Sequence, residues 1–108
     1  MAAISTLRNL GPASEAAFRR AGIRTAEEIL ALGADAAYAR LLEAGERPHF
    51  IGYYVLHMAV QGRSWTACQG PEKAELRARF DALKARHAGT GIAAIEAALD
   101  ALGVGARR

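Results

Sequence analysis

Residues 9–28 read NLGPASEAAFRRAGIRTAEE, a helical phrase fenced by Leu10-Gly11-Pro12 on one side and Ala21-Gly22-Ile23 on the other. Pro12 suits the first position of a helix, where its missing N–H has no partner to lose, and Gly22 suits the left-handed turn that ends one. Thr25 followed by Glu28 has the spacing of a capping box, which opens the next helix. The phrase therefore predicts two short helices, over 12–21 and 26–32, joined by a tight turn. A helix of about three turns does not persist alone in water, so its neighbours must hold it.

The same punctuation continues outward. Glycines at 11, 22, 33, 45, 62, 70, 89 and 103 mostly follow helical phrases and divide the chain into seven expected helices. A lead-in covers 5–10. Beyond the opening pair, a fourth helix runs over 36–44, with Asp35 as N-cap and Tyr38, Leu41 and Leu42 on its apolar stripe. Pro48 opens a fifth. Its segment 50–60, FIGYYVLHMAV, is apolar nearly all round and is expected at the centre of the core. The polar line of that helix is His49, Tyr53, His57 and Gln61, four apart and hence on one face. Pro71 and Glu72 begin a sixth, with Leu76, Phe80 and Leu83 inward and Glu75, Arg77, Arg79 and Lys84 outward. The seventh places Ile92, Ile95, Leu99 and Leu102 at helical spacing, with Glu96 and Asp100 opposite.

Composition points the same way. The 108 residues suffice for one domain, and 26 alanines with few aromatics favour small-residue helix packing over a strand-rich core. The expectation is an all-α, compact domain of about six or seven helices with a helix-hairpin-helix-like N-terminal half. The domain covers 1–88, and 89–108 form a C-terminal helical extension. The Ile/Leu stripe of the extension either packs back on the domain or pairs with a second copy, so a homodimer is expected. Trp65 is expected to plug the core between the fifth and sixth helices. The lone Cys68 cannot form an intramolecular disulfide, which fits a reducing compartment and makes the cytoplasm the expected location. The most apolar stretch, 50–60, falls far short of a membrane span.

Chemical motifs are absent: there is no glycine-rich phosphate loop with its Lys, no nucleophile elbow and no His-Glu-x-x-His run. His49 and His57 lie about 12 Å apart along one helix, too far to share an ion. Cys68 could meet His57, but no orienting carboxylate is apparent in the sequence. The expectation is therefore a non-enzymatic protein with no cofactor and no metal. What remains is the loop at 10–13, where backbone amides of Leu10, Gly11 and Ala13 converge with the positive end of a helix dipole and could accept a phosphate. Arg19, Arg20 and Arg24 could track further phosphates, or complement the dipole at the other end of the helix. Against DNA stand a formal charge of only +3, the interleaved Glu15, Glu27 and Glu28, and Ala13 where the phosphate-binding version of the motif carries a cation. Recognition of a protein partner is the first reading and DNA-backbone contact the alternative.

Taken in order, Leu7-Arg8-Asn9-Leu10-Gly11-Pro12, Ser14-Glu15, Ala21-Gly22-Ile23, Thr25, Leu32-Gly33-Ala34, Ala37-Tyr38 and Gly62-Arg63-Ser64-Trp65 resemble the C-terminal domain of the TfoX (Sxy) family of bacterial competence regulators, over residues 4–83. The resemblance implies an all-helical, non-enzymatic module in proteins that promote expression of DNA-uptake genes, alongside the cyclic-AMP receptor protein at its promoters. Its partners would then be proteins of the transcription machinery.

Overall fold

The computed structural model describes residues 1–87; the expected seventh helix and the boundary at 88 lie outside the described residues. Among the described residues there are five α-helices and no strand: α1 (Pro12–Arg20), α2 (Ala26–Leu32), α3 (Ala34–Glu43), α4 (Phe50–Val60) and α5 (Gly70–Arg86), with 3-10 turns at Ile4–Thr6 and Trp65–Ala67. The all-α reading stands. The expected lead-in helix over 5–10 is only the turn Ile4–Thr6, because Leu7 is extended and Asn9 sits in the left-handed region at φ 74°.

Local chemistry explains most boundaries. Gly11 caps α1 with Pro12 inside its first turn, and Thr25 forms the expected capping box with Glu28. Three helices end alike: the amides of Ile23, Glu46 and Arg63 return to the carbonyls of Phe18, Leu41 and Met58, across glycines at positive φ. This six-to-one closure needs a left-handed residue, which glycine supplies without a steric penalty. Two expected starts are corrected. Gly33, not Asp35, caps α3, and it also ends α2, so the two helices share one sharp corner. α4 begins at Phe50 rather than Pro48, because His49 stays extended, with its N–H donated to the Tyr38 hydroxyl at 2.9 Å.

One core joins all five helices, with Ile4, Phe18 and Ile29 buried on the N-terminal side and the aromatic cluster between α3, α4 and α5. Phe80 is the hub of that cluster, with its ring 5.5 to 6.2 Å from those of Tyr53, Phe50 and Tyr38. Leu76, Phe80 and Leu83 of α5 are buried as their spacing predicts. Trp65 contradicts its expected role: it is 48% exposed, and Cys68 enters the core in its place. The backbone accounts for this. The Trp65 N–H is fixed on the Asn9 Oδ1, and the 3-10 turn that follows brings Cys68 inward three residues later.

Candidate functional site

The loop that opens α1 is fastened to a distant part of the chain. Asn9 donates its Nδ2 to the Arg63 carbonyl (2.9 Å) and accepts the Trp65 N–H (3.2 Å), clamping NLGP to the Gly62-Arg63-Ser64-Trp65 turn. Arg63 in turn makes a two-pronged ion pair with Glu72 on α5 (2.7 and 2.9 Å). Both motifs are thus parts of one joint between α1 and the α4–α5 pair. Of the expected phosphate donors, the Leu10 N–H is already donated to the Leu7 carbonyl and its side chain is buried, while the Gly11 and Ala13 amides make no hydrogen bond among the described residues. Arg19, Arg20 and Arg24 sit at the other end of α1, roughly 13 Å away for a nine-residue helix. Arg20 is paired there with Glu46 at 2.9 Å. The six residues do not converge on one spot.

A cluster that sequence spacing had not revealed joins three helices. The Asp35 carboxylate, in the first turn of α3, accepts hydrogen bonds from the Tyr53 hydroxyl (2.5 Å) and His57 Nε2 (2.9 Å) of α4, and from Arg79 of α5 (2.6 Å). Partial burial pushes the Asp35 pKa up, but these three bonds and the Arg79 charge outweigh it and bring it down to about 2. Burial, and then Asp35 itself, push the Tyr53 phenol up. With Asp35 ionised, His57 Nε2 carries the ring proton. The polar line expected on the fifth helix therefore splits: Tyr53 and His57 turn inward to Asp35, His49 caps the helix, and Gln61 accepts from Arg63. Arg79, placed by its spacing on the outer face, reaches back as well. No hydrogen bond links His57 to Cys68, whose thiol is pushed up by burial and by Glu72. Among the described residues no group of three or more His, Cys, Asp or Glu could hold a metal ion, and no helix is long and apolar enough to cross a membrane.

With the fold and this geometry in place, the chain can be set beside known proteins. A family model described as the TfoX C-terminal domain matches residues 1–80. The chain belongs to the TfoX C-terminal domain family. A crystal structure of an uncharacterised protein from Listeria monocytogenes, in a triclinic form, resembles it with a TM-score of 0.68 at 30% identity, over 83% of this chain and 98% of that one. No curated protein matches.

In this TfoX C-terminal domain, α4 carries the least expected surface. Its polar side chains, Tyr53, Tyr54 and His57, are all buried, so the residues it turns to solvent are Ile51, Gly52 and, in part, Phe50, Val55 and Val60. Ile51 is 64% exposed. Beside this face, α1 and α4 both flank α3 but scarcely touch each other, which leaves a slot between them. The slot holds a cavity of about 120 Å³, walled by Ser14 and Ala17 of α1 and by Gly52 and Val55 of α4, over a floor that includes Tyr38 and Leu41. A Cβ at Gly52 would meet no atom within 4 Å, so the fold itself does not require a glycine there.

Proposed function

We propose that this domain is a non-enzymatic regulatory module that recognises a protein partner and acts in cytoplasmic transcriptional control. The observation that carries the reading is the outward face of α4. A helix that buries its polar residues and shows Ile51, Gly52 and Val55 to water has the character of a contact surface, since exposed apolar surface next to a concave slot marks docking sites more often than solvated faces. The small residues Ser14, Ala17 and Gly52 suit the slot to a partner that brings an apolar helix close to both walls. Membership of the TfoX C-terminal domain family supports a regulatory rather than a catalytic role.

The free amides of Gly11 and Ala13 favour a second reading, contact with a DNA backbone at Leu10, Gly11 and Ala13 with help from Arg19, Arg20 and Arg24. Fluorescence anisotropy with a labelled duplex at two salt concentrations separates the two, using the wild type beside the triple Ala variant of those arginines. The partner reading predicts weak binding that the variant hardly changes. Tight binding that falls steeply with salt and is lost in the variant overturns it in favour of DNA.

A further inference from the structure

We propose that the slot between α1 and α4 has an occupant within the same chain, residues 92–102, whose stripe of Ile92, Ile95, Leu99 and Leu102 docks along it until a partner displaces it. The inference rests on the slot being a docking surface and adds how that surface is regulated.

Position favours this occupant. The described chain leaves α5 at Arg86, and His87 Nε2 lies 3.5 Å from Glu43 Oε2 at the end of α3. Two residues before Glu43, Leu41 lines the slot from the opposite side of α3. Residues 88–91, Ala-Gly-Thr-Gly, can extend to about 13 Å, which exceeds the roughly 10 Å width of the helix they would have to cross.

Length and pattern agree. The stretch 92–102 has eleven residues, the same number as α4, and its four apolar residues recur at intervals of three and four, the spacing that lays one stripe along a groove. Gly52 then gains a reason. It adds no bulk to the slot wall, so another backbone can approach closely, and nothing inside the described fold explains it otherwise.

Hydrogen exchange on the full chain tests this, with Gly52→Gln as the variant, because a side chain at 52 has room in the fold but enters the slot. The expected result is exchange over 92–102 slowed at least about tenfold from free-chain rates, unchanged on tenfold dilution, and restored to free-chain rates by Gly52→Gln while α5 stays protected. Free-chain exchange in the wild type overturns the proposal while leaving the slot open to a partner. Protection that fades on dilution overturns it in favour of a second copy. Protection that survives Gly52→Gln overturns it by placing the segment elsewhere.

Discussion

Helices α4 and α5 pack against each other and both bury apolar residues, Leu56, Met58 and Ala59 on α4, but they treat their polar ones differently. α5 buries Leu76, Phe80 and Leu83 and exposes Glu75, Arg77, Arg79 and Lys84, as an amphipathic helix in water should. α4 buries Tyr53, Tyr54 and His57 and exposes Ile51 and Gly52. Burying polar groups is tolerated only where they find partners, and Asp35 supplies two of them. Exposing apolar ones needs no partner within the fold, but it leaves a surface that water does not favour. The difference teaches that hydrophobicity alone does not say which side of a helix faces the core: on α4 the inward side carries the polar groups that a carboxylate on α3 holds, and the outward side keeps an exposed isoleucine.

The comparison can be broken from either helix. Phe80→Ala should be the most costly change, about 3 to 5 kcal/mol in chemical denaturation, since it removes the hub of the aromatic core. Asp35→Ala should follow at about 2 to 3 kcal/mol, because it strands the hydroxyl of Tyr53 and the ring N–H of His57 inside the fold. The same carboxylate sets a pH dependence. Its folded pKa is held at about 2, below the ordinary value of 3.8, so its contribution is complete above about pH 4 and is lost as the pH falls toward 2. The wild type should therefore lose more stability across that interval than Asp35→Ala does, as followed by denaturation at several pH values. On the outward face of α4, Ile51→Gln should alter stability by less than about 1 kcal/mol, although it changes a large apolar residue within the most apolar stretch of the chain. A loss as large as that of Phe80→Ala would place Ile51 in the core and end the contrast.

Much of this organisation was legible from single residues. Pro12, the Thr25–Glu28 box and the glycines at 22, 45 and 62 act through backbone geometry within a few residues, so their effects can be read locally. The stripe of Leu76, Phe80 and Leu83 was legible because α5 meets the core on one side only. Asp35 was misread because a carboxylate beside a helix start has two uses, capping and reaching across, and only the packing of α3 on α4 decides between them. Trp65 was misread for a related reason. Its size argues for burial, yet the hydrogen bond from its amide to Asn9, 56 residues away, fixes the turn that leaves it half outside. The amides at Gly11 and Ala13 were visible in the sequence, but their separation from Arg19, Arg20 and Arg24 follows from the length of α1.

The central claim is that the face of α4 around Gly52 is shaped for what comes against it and not for the fold beneath it. Chemical denaturation of Gly52→Ala tests this directly. Alanine is favoured over glycine inside a helix by roughly 0.5 to 1 kcal/mol, and the added Cβ meets nothing within 4 Å, so the account predicts stability equal to the wild type or up to about 1 kcal/mol higher. A fall of more than about 1 kcal/mol would contradict it, because Gly52 would then be serving the core.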